Sequence, residues 1–285
     1  PNQNSRLDMV FAVVEDGTFR IDKYVDNTVD YAKVGEHYYS DKAPGTAFLG
    51  IPIYAALRIV LNSPLIEYAM GYVENSDALQ STLREGGTGL LDHKVRFAAA
   101  QVVLTFVSSV LPTALVGVMM YSALGRIVAN PRLRLLVVLG YGLCTPVFAY
   151  AGSFYGHQLC AFCLFAAFYA VYVRLWKLRA SALLIVGLLL GYSVITEYPS
   201  VLIVGILVLY TWARIVPKWH ICWVLLGGAV VAIGWAIYNT AVFGSPFELG
   251  YSHSELWIEQ HHTGFMSLTR PSWKALWGIT FSPFR

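Results

Sequence analysis

The 285-residue chain is 56% hydrophobic and 14% aromatic, only 13% of it is charged, and its net charge is +3. Soluble domains carry about twice that charged fraction, so an all-aqueous globule is excluded. The basic residues lie in short loops between apolar runs rather than in a stripe, which excludes a nucleic-acid surface.

The carboxylates divide the chain. Of 17, only Glu197 falls between residues 97 and 243, and eight crowd into residues 8–41. Within that acid-rich start, Ser5 caps a predicted helix over 6–15 with Leu7, Val10, Phe11 and Val14 on one face. Gly17 ends it. Phe19-Arg-Ile-Asp-Lys-Tyr24 alternates in a way that holds Asp22 against an apolar layer. Residues 31–39 read as a hairpin around Val34-Gly35, and Ser40-Asp-Lys-Ala-Pro-Gly45 as a turn. Residues 46–61 are apolar but short and carry Pro52 and Arg58, so they suit a helix lying in the membrane interface. Residues 64–79 read as a second surface helix. Gly86-Gly-Thr-Gly89 is a loop with no strand before it and no Lys-Ser/Thr pair after it, which rules out a phosphate cradle.

Beyond residue 96 the apolar runs predict helices near 97–125, 133–152, 158–175, 181–196, 199–214 and 220–243, and a membrane crossing takes about 20 residues. The expected fold is therefore an all-α polytopic membrane protein with about six transmembrane helices. One set of loops carries Arg126, Arg132 and Arg134, then Arg174, Lys177 and Arg179, then Arg214 and Lys218. The alternate loops, 153–157 and 196–199, carry no Lys or Arg. Basic loops face the cytoplasm. This places 1–95 outside the plasma membrane, 96–243 as the transmembrane body, and 244–285 as a further outer loop and the start of another membrane segment. A crossing at 46–61 would invert that order. The bilayer itself is the first expected partner.

Several side chains are placed for chemistry. Asp22 and Asp41 are candidate bases towards a hydroxyl, whereas Glu15 and Asp16 face solvent. Asp8 lies within the first helix, pointing towards solvent. Lys42, Arg6 or Arg58 could hold a phosphate. His37 could join Asp41. Glu197 and His157 lie at outer helix ends, where an ionisable group is rare and often functional. His253, His261 and His262 occur with Glu255 and Glu259, but without a helical i, i+4 pair the metal signal is weak and no metal ligand is assigned. Cys160-Ala-Phe-Cys163 sits inside a membrane-length run and reads as packing. Trp257, Phe265, Trp273 and Trp277 read as interface anchors or sugar-stacking rings.

Asn4-Ser-Arg-Leu7, Gly17-Thr-Phe-Arg-Ile-Asp22 and His37-Tyr-Tyr-Ser-Asp-Lys-Ala-Pro-Gly45 resemble the first outer loop of bacterial glycosyltransferase-C membrane proteins. These are relatives of protein O-mannosyltransferases and the lipid A aminoarabinose transferase. Thr196-Glu-Tyr-Pro199, Phe243-Gly-Ser-Pro-Phe247 and Leu276-Trp-Gly-Ile-Thr-Phe-Ser-Pro-Phe284 are similar to further stretches of that group. The resemblance implies a polyprenyl-phosphate-linked sugar as donor and inverting transfer to an acceptor hydroxyl. It also implies a first helix before Pro1 and more helices after Arg285. The family places an acidic residue directly after its first helix, as base or metal ligand; here that stretch reads Pro1-Asn-Gln-Asn-Ser-Arg6. Asp22, Asp41 and Asp8 therefore compete for the role of base, and the cofactor stays open, with a divalent metal as the candidate. The alternative is a non-catalytic subunit packing among other membrane subunits. A transporter is weaker, because Pro112 and Pro146 are single breaks and no repeat is present.

Overall fold

The computed structural model describes residues 2–64, 66–68, 71, 81, 92–173, 179–256 and 272–281. The described residues are all-α apart from one hairpin: α1 (Asn2–Asp16), β1 (Ala32–Val34), β2 (His37–Tyr39), α2 (Gly45–Leu61), α3 (Asp92–Thr105), α4 (Leu111–Leu124), α5 (Pro131–Leu143), α6 (Val147–Ala151), α7 (His157–Val173), α8 (Ala180–Thr196), α9 (Val201–Arg214), α10 (Ile221–Phe243) and α11 (Trp273–Thr280). Residues 64, 66–68 and 71 are helical. The rest of 64–79, the loop 86–89, Arg174, Lys177, His261, His262, Glu259, Trp257 and Phe265 lie outside the described residues.

Among the described residues, two helices are long and apolar enough to cross a membrane, Lys94–Leu124 with 31 residues and Lys218–Phe243 with 26. The first contains α3, a π-helical turn at Phe106–Val110, and α4. Pro112 explains the turn. It has no N–H to give Ser108, so the ladder shifts and Leu111 N–H bonds to Phe106 O instead. Pro146 breaks the next run into α5 and the five-residue α6, so no continuous helix covers 133–152. α7 and α8, at 17 residues each, reach the lower limit of a crossing.

Two cores hold the described residues together. One, among α7, α8 and α10, contains Ala167, Val171, Leu183, Val186, Leu190 and Val224. There α8 and α10 cross with almost no space between backbones. A Cβ on Gly187 would collide with Val224 O, and one on Gly227 with Leu184 O. Small residues at such a crossing allow close helix approach where lipid supplies no hydrophobic drive. Outward, Val118, Leu136, Ile206, Leu226 and Ile237 are exposed, and α5 buries no residue at all.

The second core joins α1 and α2 to the ends of the long helices. It holds Leu7, Met9, Val10, Phe11 and Tyr54 together with Ala100, Leu104, Phe154, Tyr238 and Val242. Gln3 Oε1 accepts from Phe154 N–H at 2.9 Å, and Tyr192 O–H donates to Gly45 O at 2.7 Å. The acid-rich segment therefore caps one end of the bundle. At the other end, Arg126 donates to Tyr172 O and Val173 O at 3.2 and 2.6 Å, and Lys218 to Trp212 O and Ala213 O at 2.8 and 2.7 Å. These cations satisfy the carbonyls at two helix C-termini, where positive charge is favoured.

α1 departs from the sequence expectation. A single apolar stripe predicts a half-buried helix, but every residue from Ser5 to Ala12 is buried. The hairpin region, α2 and the bundle ends surround it, so its polar residues are enclosed along with its apolar ones.

Candidate active site

Four segments converge on the capped end: the middle of α1, the turn before α2, the break between α8 and α9, and the loop after α10. Glu197 occupies that break. Thr196 ends α8, and Tyr198–Ser200 forms a single 3-10 turn because Pro199 cannot continue a helix ladder. The Glu197 side chain thereby lies beyond the end of α8 and meets Arg6. Arg6 Nη2 donates to Glu197 Oε1 at 3.3 Å, with the arginine 2% and the carboxylate 20% exposed. His157, at the start of α7 and 45% exposed, places Nδ1 at 3.3 Å from the same oxygen. Gly156 admits the carboxylate, because a Cβ there would overlap Glu197 Oε1. Arg6 also donates to the Asn2 side chain.

The second cluster lies in the turn before α2. Asp41 is fully buried, and its Oδ2 accepts from Lys42 Nζ at 3.1 Å; Lys42 also pairs with Asp30 at 3.3 Å. Burial pushes the Asp41 carboxyl up, and the Lys42 ammonium opposes that shift. Lys42 Nζ sits 5.8 Å from the ring centroid of Tyr251, which packs edge-on against Tyr198. Burial raises both phenols, Tyr198 to about 12, so both stay neutral, and the Tyr198 hydroxyl accepts from Trp235 Nε1 at 3.4 Å. Ser5 and Ser40 hydroxyls share a 2.8 Å hydrogen bond that ties α1 to this turn.

The other expected residues separate from these two clusters. Asp8 does not face solvent: it is buried, accepts from Asn27 Nδ2 at 3.2 Å, and burial raises its carboxyl to about 7. Asp22 opens a 3-10 helix rather than lying against the apolar layer. It is 41% exposed, accepts from Tyr38 N–H at 2.6 Å, and contacts His37 Nδ1 at 2.8 Å. The Asp22–His37 pair fastens the hairpin, and His37 does not contact Asp41. Glu15 is not simply solvated: it accepts from Tyr54 O–H at 2.7 Å and pairs with Arg58 at 3.1 Å. Arg58 lies at the far end of α2 from Lys42, so the two do not converge on one phosphate. Glu255 joins Tyr31 and Lys33, and His253 pairs with Glu248 at 3.4 Å. Among the described residues, no group of three or more His, Cys, Asp or Glu is arranged to hold a metal ion. Cys160 and Cys163 are free and buried.

Sequence reading missed the meeting of Arg6 with Glu197. The two are 191 positions apart, and the only trace of their pairing was the isolation of one acid in an otherwise acid-free region. Asp30 and Tyr251 gave no signal of their own.

No family model, no curated protein and no solved structure matches this chain.

Proposed function

We propose that the chain is a multi-pass membrane glycosyltransferase that moves a sugar from a polyprenyl phosphate to an acceptor hydroxyl at the outer face. The exposed apolar surface of α4, α5, α9 and α10 supports the membrane part of this reading, since soluble monomers rarely expose contiguous apolar patches beyond a few hundred Å². The observation that carries the catalytic part is the Arg6–Glu197–His157 arrangement. It sets a partly exposed carboxylate and a half-exposed imidazole against a buried guanidinium at the capped end of the bundle.

In this reading Glu197 replaces the acid missing from the stretch Pro1-Asn-Gln-Asn-Ser-Arg6. Oε1 is held by Arg6 and His157, which leaves Oε2 to take the proton of the acceptor hydroxyl. The acceptor oxygen then attacks the anomeric carbon opposite the phosphate, the carbon–oxygen bond to the phosphate breaks, and the polyprenyl phosphate leaves with the electron pair. His157 stabilises the leaving phosphate's charge. Asp41 and Lys42 neutralise each other under Tyr251, so their part is to position Arg6 and the start of α2. No metal is assigned to this step.

The test is transfer from polyprenyl-phosphate sugars by the full chain in liposomes. Glu197→Gln loses about 100-fold or more of the rate, the share a positioned base contributes, while Asp22→Asn keeps it. A Glu197→Gln variant as active as the parent overturns the assignment. One observation favours a second reading, a non-catalytic membrane subunit: Asp41 and Lys42 are closed off, at 0% and 9% exposure, while α5 has no buried face. Absence of transfer by the parent, together with stoichiometric co-purification of another membrane chain, favours that subunit.

A further inference from the structure

A groove of about 520 Å³ between α4 and α5 plays no part in the reaction described above. Gly117 on α4 and Gly142 on α5 hollow it, and the exposed side chains of Val118, Leu135 and Leu139 edge it. Gly117 faces Val138, and Tyr121 faces Arg134, so the two helices run antiparallel. Tyr121 closes one end of the groove. The Arg134 guanidinium lies 5.0 Å from the centroid of that ring and donates to Ala129 O at 3.3 Å. Gly125 makes room for it, since a Cβ there would stand 2.8 Å from Arg134 Nη1. Arg126 follows that glycine, and Arg132 stands in the first turn of α5. The chain from residue 97 to residue 196 contains no Asp or Glu. Neither wall of the groove, nor α7, nor any loop joining these helices can therefore bring a carboxylate to the three arginines. From Leu135 to Leu143 the groove follows α5 for eight residues, about 12 Å at the helical rise.

We propose that this groove seats an acyl chain of one anionic diacyl phospholipid of the cytoplasmic leaflet, with the lipid phosphate on Arg134. The inference rests on the membrane reading but not on the catalytic one. Apolar walls of this size suit a hydrocarbon chain rather than a free phosphate. The length fits one leaflet: the hydrocarbon core is about 30 Å thick, so half of it is about 15 Å. The headgroup then lies at the arginine end and the chain points to mid-bilayer. The donor's phosphate belongs at the opposite, capped end beside Glu197 and His157, so its tail does not reach these arginines first. Three guanidiniums without a carboxylate favour a headgroup that carries net negative charge over a zwitterion. Ala129 O takes one of the five guanidinium N–H donors of Arg134, and the planar fork matches phosphate oxygens. Stacking on Tyr121 holds that fork in place before the lipid arrives, which lowers the ordering cost of binding. The seated chain also covers part of α5, a helix with no buried residue of its own.

The full chain is placed in phosphatidylcholine nanodiscs containing a minor fraction of phosphatidylglycerol, and the lipids retained on release are weighed by native mass spectrometry. The parent retains phosphatidylglycerol above its share of the disc. Arg134→Gln lowers that excess about tenfold, as expected when one charge-assisted contact is removed. Gly142→Phe fills the groove without altering charge and lowers it likewise, which decides the matter if Arg134→Gln fails to fold. Gly140→Phe, also in α5 with open space at its Cβ but outside the groove, keeps the parent's excess. Retention by folded Gly142→Phe equal to the parent's overturns the proposal, as does an equal loss in Gly140→Phe. A parent that inserts but retains the two lipids in disc proportion overturns it too. A polyprenyl phosphate added to the discs leaves phosphatidylglycerol in place; its displacement assigns the groove to the donor's tail and overturns the proposal. A parent that does not enter the discs overturns the membrane reading and this proposal together.

Discussion

Replacing Glu197 by alanine tests whether the two halves of the chain are joined electrostatically. Arg6 is 2% exposed, and its charged partner across the site is Glu197, at 20% exposure. Removing one partner of a fully buried pair costs about 3–5 kcal/mol, because the other charge is left desolvated. Water reaches the Glu197 side, so the cost here is nearer to about 2–3 kcal/mol. At roughly 2–4 °C per kcal/mol for a chain of this size, Tm falls by about 5–10 °C. Arg6→Met alone leaves Glu197 with His157 and water, and costs less. The double variant Arg6→Met/Glu197→Ala removes both charges and recovers about 1.5 kcal/mol or more relative to the sum of the singles. Tryptophan fluorescence during thermal unfolding in detergent reads all three. Strictly additive variants, or a Glu197→Ala shift below about 2 °C, refute the coupling.

Two further outcomes follow from the packing and burial. Gly187→Leu forces a side chain into the Val224 backbone and lowers Tm by at least about 5 °C, the result of overpacking a closed crossing, whereas Gly205→Ala, inside α9 with open space around it, raises Tm by about 1–4 °C through helix propensity. Asp8 adds a pH dependence with a defined sign. Its folded pKa, about 7, lies above the ordinary carboxyl value of 3.8, so between those values the folded chain binds the extra proton and stability falls as pH rises. Above about 7 the full penalty applies, and below about 4 it is absent. Asp8→Asn flattens the decline in stability between pH 4 and 7 in a denaturant titration series; an unchanged slope removes Asp8 as its cause.

The helices of the body were legible because the apolar runs are long and their separators are Arg, Lys or Pro. The breaks within them were less so: Pro112 and Pro146 are visible in the sequence, but whether a proline produces a π turn or a full stop depends on what its neighbours can bond. Ser109 donates to Ser153 O at 2.7 Å in the loop after α6, a contact that periodicity does not encode. The hairpin at 32–39 was readable from its turn, and Gly17 from its place after a periodic run. The burial of Arg6 and Asp8 was not. Local pattern gives one face of a helix, whereas α1 is enclosed from every side by segments distant in the sequence. The pairing of Arg6 with Glu197 was hidden for the same reason, and it shifts the weight from the three outer-loop aspartates to one acid at a helix break.

Sided labelling of two exposed positions tests the central claim most directly. In a cysteine-free background, Glu36→Cys lies on the hairpin at the capped end and Arg132→Cys at the arginine-rich end. With a membrane-impermeant thiol reagent, Glu36→Cys reacts only in right-side-out vesicles and Arg132→Cys only in inverted ones. Reaction of both from one side contradicts an acid-rich cap and an arginine-rich end separated by a bilayer.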